Sequence, residues 1–226
     1  MSINPVNDKF VFRRGEYDVA DIEFPENFIG ISSLGLKPSP FDSACLSGYI
    51  ATYSVYKKYL VLKDLYTNNG RDLKNEPPKI NNKLPKISIN DAPVSEETKT
   101  NWREFTYENI NLIIPYTGSI LIVKDFIWEE FVHPGCQFNC NYKVVIQLSF
   151  NNGKYIMSKD LSDIVKQLRE KNNDDENYIS NMLKSINSEW INDLFDISYS
   201  TRVEEFFASD KIKIITDRYY AHDRTF

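Results

Sequence analysis

One short segment of this chain concentrates side chains that metal binding and nucleophilic catalysis use. His133, Cys136 and Cys140 follow one another closely in the sequence. Imidazole nitrogen and thiolate sulfur are preferred zinc ligands, and the interval between the two cysteines suits a zinc site. A fourth ligand would come from Glu129, Glu130 or His222. Structural zinc sites usually draw on a second Cys or His pair, which this sequence lacks, so we predict no metal and no cofactor.

The same residues permit a second chemistry, in which a thiolate attacks a substrate and a histidine acts as the base. The candidate nucleophiles are Cys136 and Cys45, and the candidate bases are His133 and His222. Such a pair is defined by proximity in the fold, which sequence spacing does not establish. A small hydrolase or transferase that uses His133 or a carboxylate pair is therefore the alternative hypothesis.

Acidic side chains are abundant, but their sequence positions favour structural roles. Residues 174–176 (Asp-Asp-Glu) precede an amphipathic stretch, where negative charge stabilises the start of a helix. A glycosidase needs two carboxylates across a cleft, and the sequence does not place such a pair. The sequence contains no P-loop, no dinucleotide-binding glycine motif, no nucleophile elbow and no zinc-protease motif. These absences make an enzyme the less favoured hypothesis.

Overall charge and composition restrict the class of partner. The 226 residues include 27 Lys and Arg against 32 Asp and Glu, for a net charge of −5. Nucleic-acid binding needs a basic footprint, so we expect no nucleic acid partner. No apolar run approaches the ~18 residues of a membrane span, and the first residues lack a secretory signal. With an odd number of cysteines, these features predict a cytoplasmic protein that does not bind membranes.

A heptapeptide that occurs twice indicates how the sheet is built. Residues 60–66 (Leu-Val-Leu-Lys-Asp-Leu-Tyr) return in similar form as residues 121–127 (Leu-Ile-Val-Lys-Asp-Phe-Ile). Each copy follows a strand-like run and a turn signal, so each is predicted to be the return strand of a hairpin. The predicted pairs are residues 49–55 with 59–66, and residues 109–114 with 118–127.

Further strands are predicted on either side of this repeat. Residues 10–12 and 17–22 are short strand-like runs near the start of the chain. Residues 142–150 and 154–157 form a third hairpin, because Asn151-Asn152-Gly153 between them is typical of a type I′ turn. Consecutive strands joined by short turns predict a mainly antiparallel sheet.

Two stretches differ from this pattern. Residues 67–101 are rich in Pro, Asn and Lys and predict a long polar loop, in which Ile87 and Ile89 are compatible with a brief strand. Across residues 160–195, apolar residues recur with helical spacing and predict helices that pack on one face of the sheet. Because the repeat pairs the two sides of the loop, we predict one α+β domain over residues 1–226.

Three segments resemble a diffuse family of small, mostly uncharacterised bacterial proteins. The segments are residues 46–53 (Leu-Ser-Gly-Tyr-Ile-Ala-Thr-Tyr) with 60–62, residues 116–122 (Tyr-Thr-Gly-Ser-Ile-Leu-Ile), and residues 132–137 (Val-His-Pro-Gly-Cys-Gln) leading to 152–154. The family is similar to β-rich cytoplasmic proteins, some of which accompany toxin–immunity systems. Together with the acidic net charge, the lack of catalytic motifs and the lack of a secretory signal, the resemblance implies a non-catalytic protein-binding role, most concretely an immunity protein that neutralises a bacterial toxin.

The expected partner-binding residues lie toward the end of the chain. Glu204 and Glu205 stand beside two phenylalanines, and Tyr219 and Tyr220 belong to a tyrosine-rich tail. Aromatic anchors surrounded by carboxylates would suit a basic toxin domain. The 67–101 segment is a further candidate for this surface.

Overall fold

The computed structural model describes residues 7–40, 45, 47–68, 76–94, 98–128, 141–170 and 190, with only the backbone described for 89–94, 98–102, 168 and 170. The chain divides into two compact units. The first comprises Met1–Gly135 and Asn141–Ser162, and the second comprises Cys136–Cys140 and Asp163–Phe226. The single-domain organisation over residues 1–226 stays a prediction.

The described part of the first unit is built on one ten-stranded, mostly antiparallel sheet. The strands are β1 Lys9–Phe12, β2 Gly15–Ile22, β3 Tyr49–Tyr56, β4 Tyr59–Asn68, β5 Lys86–Val94, β6 Thr98–Tyr107, β7 Leu112–Ile113, β8 Gly118–Phe126, β9 Tyr142–Asn151 and β10 Lys154–Asp160. Short 3-10 helices span Pro25–Asn27 and Ile31–Leu34. The chain is therefore mainly β, which agrees with the predicted class at this level.

The sheet closes on itself. Strands follow one another in the order β10, β9, β8, β2, β1, β3 and β4, and β4 then pairs with β10. That last seam is short and joins Tyr59 to Lys154. This ring has seven strands, and an odd number of strands cannot alternate in direction all the way round, so at least one neighbouring pair must be parallel. β1 and β3 are that pair, with Phe10 opposite Tyr53.

Two of the three predicted hairpins form. β3 and β4 are joined by Lys57 and Lys58, and β9 and β10 by Asn152 and Gly153. The predicted pairing of residues 109–114 with 118–127 is wrong. β7 pairs instead with β4, and β8 pairs with β2 and β9. The backbone groups of β7 form hydrogen bonds with the edge of β4 that does not pair with β3. Residues 115–117 then connect β7 to β8 without forming a hairpin turn.

The predicted polar loop is partly a hairpin of its own. Within residues 67–101, β4 continues to Asn68 and β5 occupies Lys86–Val94, while 69–75 and 95–97 lie outside the described residues. β5 pairs along its whole length with β6, and β6 joins β4 only through Glu104–Tyr107. Backbone pairing thus organises a segment whose polar composition indicated a loop.

The core combines aromatic and aliphatic side chains from most strands. Phe10, Tyr53, Leu60, Ile120 and Phe150 are among its buried members. On β8, Leu121 and Val123 alternate with Ile120 and Ile122, and all four are fully buried. Because alternate residues of a strand point to opposite faces, both faces of β8 exclude water. A strand that is buried on both faces has a continuous run of apolar residues in its sequence.

The helical prediction for 160–195 is described only in part. Helix α1 spans Ser162–Glu170, and residues 171–189 and 191–195 lie outside the described residues. Asp160 accepts a hydrogen bond at 2.9 Å from the backbone N–H of Ser162, where this helix begins. No helix in the described part of the chain has the length and hydropathy that crossing a membrane requires.

Candidate functional site

Most residues that the sequence nominated for chemistry or binding lie outside the described residues. These are Glu129, Glu130, His133, Cys136, Cys140, Glu204, Glu205, Tyr219, Tyr220 and His222. The structure therefore does not describe how these residues lie relative to one another. Within the described ranges, no group of three or more His, Cys, Asp or Glu side chains is placed to hold a metal ion.

Three hairpin turns meet at the β4–β10 seam. The backbone N–H of Leu60 donates to the carbonyl of Gly153 at 2.7 Å, which joins the β3–β4 turn to the β9–β10 turn. The β1–β2 turn approaches the same strand, because Arg13 Nη2 donates to Ser158 Oγ of β10 at 3.2 Å. The Phe12 and Tyr155 rings reinforce this approach, with centroids 5.9 Å apart. Side chains of three separate hairpins are thereby gathered on one surface.

We define the hairpin-turn surface as the exposed residues of these turns and of the adjoining part of β10. Its cations are Arg13, Arg14, Lys57, Lys58 and Lys154, and its apolar members are Tyr56, Tyr59, Ile156 and Met157.

None of these cations is neutralised by a carboxylate in the described part of the chain. The ion pairs found there join Lys9 to Asp18, Lys63 to Asp64 and Lys86 to Glu108. Glu16, which follows the first turn, is exposed and forms no described ion pair with the surface. The hairpin-turn surface is therefore strongly positive on a chain whose net charge is −5.

Apolar groups of unusual exposure lie among these charges. Tyr56 is 48% exposed, Ile156 is 54% exposed and Met157 is 52% exposed. A bulge in the pairing of β9 with β10 falls between Tyr155 and Met157, and a bulge re-aims side chains locally. This bulge explains how Ile156 and Met157, although adjacent in a strand, are both exposed.

Two of the three turns adopt backbone conformations that their residues disfavour. Arg13 and Arg14 have φ of 47° and 68°, and Lys57 and Lys58 have φ of 48° and 70°. Asn152 and Gly153 have similar values, 46° and 75°, with the Asn-Gly pair that this geometry prefers. A left-handed backbone costs other residues roughly 1–2 kcal/mol each. Both basic pairs therefore occupy the turns at an energetic cost.

A second cluster of titratable groups surrounds the start of β3. Asp8 accepts a hydrogen bond from the Ala51 N–H at 2.8 Å and contacts the Tyr53 hydroxyl at 3.4 Å. Burial raises the pKa of Asp8, although the hydrogen bonds from Ala51 and Tyr53 oppose that rise. Burial also raises the pKa of Tyr49, assisted by the negative charge of Asp8. These contacts fasten the segment before β1 to β3, which is a structural role.

Cys45, one of the two candidate nucleophiles, belongs to this second cluster. Its side chain is buried, and Sγ lies 3.4 Å from the carbonyl oxygen of Tyr49 and 3.6 Å from Ser47 Oγ. Both histidines that were considered as its base lie outside the described residues. The pairing of Cys45 with a histidine stays a hypothesis.

Sequence reasoning missed the hairpin-turn surface, although two local signals point to it. Residues 56–59 (Tyr-Lys-Lys-Tyr) and the Arg13-Arg14 pair each place two cations at the tip of a hairpin. The meeting of these tips depends on closure of the sheet, which no local pattern reveals. Comparison of the chain with protein-family models, with curated proteins and with solved structures finds no match.

Proposed function

We propose that this chain is a non-catalytic protein-binding protein. The observation that carries the proposal is the hairpin-turn surface, where exposed apolar side chains lie among cations that no described carboxylate neutralises. Tyr, Met and Arg are enriched at protein interfaces, and a patch of exposed apolar groups within a polar rim is their usual anatomy. Three hairpins joined by backbone hydrogen bonds supply a rigid support for such a surface.

The concrete version of the proposal is an immunity protein that neutralises a cognate bacterial toxin in the cytoplasm. It is supported by the absence of catalytic motifs in the sequence and by the resemblance of three segments within residues 46–154 to a family of which some members accompany toxin–immunity systems. A contact between Glu204, Glu205, Tyr219 or Tyr220 and a basic toxin surface belongs to this proposal. So does the packing of the 160–195 helices on one face of the sheet.

Co-expression of this chain with a toxin-like protein encoded beside it tests the proposal. Growth is scored with the toxin alone, with the wild-type chain, and with a His133→Ala variant whose folding is verified by circular dichroism. Rescue by both chains supports neutralisation by binding. Absence of rescue by the wild-type chain rejects the immunity role. If the wild-type chain rescues growth and the folded His133→Ala variant does not, the alternative of an enzyme that uses His133 is favoured.

A further inference from the structure

We infer that the partner meets the hairpin-turn surface with a face that is acidic and has an apolar centre. This inference rests on the proposed protein-binding function and specifies the chemistry of the partner. It concerns a surface different from the one that the C-terminal glutamates would form, and it assigns that surface the opposite charge.

The exposed cations of the surface require a partner that carries negative charge. Arg13, Lys57 and Lys154 are exposed, and no described carboxylate lies within ion-pairing distance of any of them. Removing such cations from water without a counter-charge is strongly unfavourable. A partner that covers Tyr56 and Met157 must cover these cations too, so it has to supply carboxylates. The apolar side chains in turn require an apolar area on the partner.

The strained turns also indicate that their positive charge has a function. Lys57-Lys58 and Arg13-Arg14 occupy the same left-handed backbone geometry as Asn152-Gly153 in the neighbouring turn. Asn-Gly suits that geometry far better than two basic residues. Residues in disfavoured backbone conformations cluster at functional sites, so such strain points toward function rather than folding. Positive charge at the two tips is the property that the basic pairs provide and Asn-Gly lacks.

A protein suits this surface better than an extended polyanion does. Nucleic acids and anionic membranes present continuous negative charge, which would repel the rest of a chain with net charge −5. A protein can confine its acidic groups to the area that the hairpin-turn surface covers. Ile156 and Met157, which are half exposed, also suit a protein face better than nucleotide bases. Of the three classes, a protein with a local acidic face fits best.

The variants that test this inference remove charge without breaking the turns. Lys57→Asn with Lys58→Gly, and Arg13→Asn with Arg14→Gly, each remove two cations and introduce the preferred dipeptide for the existing backbone. Because the second variant also loses the Arg13–Ser158 hydrogen bond, the lysine variant is the decisive one. A matched control, Lys37→Gln with Lys79→Gln, removes two exposed lysines elsewhere. These lysines neighbour Ser39 and Pro78, which hydrogen-bond to the far end of β4 and to β6. If the turn variants lose binding and the control does not, the partner binds at the hairpin-turn surface.

The partner is identified by a photoreactive phenylalanine analogue placed at position 56 in the native host, with position 84 as the control. Leu84 is also exposed but belongs to the segment before β5. The expected product at position 56 is a single protein, cross-linked through a peptide of net negative charge. A nucleic-acid or lipid adduct, a basic peptide, the same product at both positions, or no product at position 56 overturns the inference.

Calorimetry on the purified pair supplies the quantitative result. Each turn variant is expected to weaken binding about tenfold or more and to reduce its salt dependence, while the lysine control binds as wild type. Equal binding by the turn variants overturns the inference. The growth assay reports separately on immunity. If the cross-linked protein is acidic but is not a toxin, the immunity role is rejected and the inference about the hairpin-turn surface stands. If both turn variants still rescue growth, the inference about this surface is rejected and the immunity role stands.

Discussion

The backbone N–H of Tyr155 donates a hydrogen bond to the carbonyl oxygen of Lys58, with 2.8 Å between nitrogen and oxygen. With the bond from Leu60 to Gly153, it locks the β3–β4 turn against the β9–β10 turn. The two turns therefore keep a fixed register, and the cations on them belong to one surface instead of two mobile tips.

Replacement of Lys57 by Asn with Lys58 by Gly is expected to stabilise the protein. Both lysines have positive φ, which Asn and Gly tolerate with little strain. We expect the free energy of unfolding to rise by about 1 kcal/mol, since the loss of the Lys57–Tyr56 cation–π contact offsets part of the gain. Urea denaturation measures the change. Lys57→Ala with Lys58→Ala removes the same charges but keeps the strain, so equal stabilisation in that control would instead implicate charge repulsion.

Gly153→Ala is expected to destabilise the fold by about 2 kcal/mol or more. Gly153 has φ of 75°, and a Cβ there would collide with the carbonyl oxygen of Ile114. Thermal unfolding provides the comparison with Gly30→Ala, whose φ is −84° and whose added Cβ meets nothing nearer than Ser32 Oγ at 3.8 Å. Similar losses of stability in the two variants would mean that neither the positive φ of Gly153 nor its contact with Ile114 excludes a side chain there.

Asp8→Asn is expected to remove a contribution that lowers stability as the pH rises through the acidic range. Burial raises the pKa of Asp8 above its ordinary value of 3.8, so the folded state holds this proton more tightly than the unfolded state. As the pH rises from about 3.8 through the folded-state pKa, Asp8 therefore reduces stability, and this loss persists above it. Asn can still accept from the Ala51 N–H but does not titrate. The unfolding free energy of the variant, measured relative to wild type, should therefore increase as the pH rises across the acidic range, and parallel curves would contradict the assignment.

Tyr116→Phe is expected to cost about 1–3 kcal/mol. The Tyr116 side chain is fully buried, and its hydroxyl lies between the carbonyl oxygens of Glu23 and Ser119. Removing the hydroxyl leaves the Glu23 carbonyl without this donor. Chemical denaturation measures the loss, and Tyr56→Phe, at an exposed position, serves as the control.

The same substitution should also change stability at alkaline pH. Burial, assisted by the negative charges of Glu23, Glu26 and Asp21, raises the pKa of Tyr116 above its ordinary value of 10.0. The folded state then keeps the proton after the unfolded state has lost it, so stability declines as the pH rises above about 10. Tyr116→Phe should lose less stability across that range than wild type does. An identical alkaline decline in the two proteins would contradict this.

Local signals in the sequence are sufficient to predict strands that pair with the next strand along the chain. Residues 49–66 and 142–157 were recognised because each hairpin carries its alternating pattern and its turn within a short window. Asn152-Gly153 was identifiable from residue type alone, and its positive φ values confirm the predicted turn.

Pairing between distant strands could not be predicted in this way. β7 resembles the first strand of a hairpin, yet it hydrogen-bonds to β4, because β4 offers an open edge that the local sequence cannot show. The parallel contact of β1 with β3 and the seam between Tyr59 and Lys154 are equally non-local. The hairpin-turn surface depends on that seam, so it became visible only with the fold. Most of the nominated chemical residues lie outside the described residues and are untested.

The closed ring also constrains the order in which the chain can fold during synthesis. The edge of β4 near Tyr59 finds its partner only when Lys154 has been made, far later in the chain. Until β9 and β10 have left the ribosome, β8 lacks its partner on one side and exposes unpaired backbone groups that favour aggregation. Contacts between such distant residues slow folding. The nascent chain therefore depends on late folding of the complete ring, and a translation arrest before β9 would release an aggregation-prone fragment.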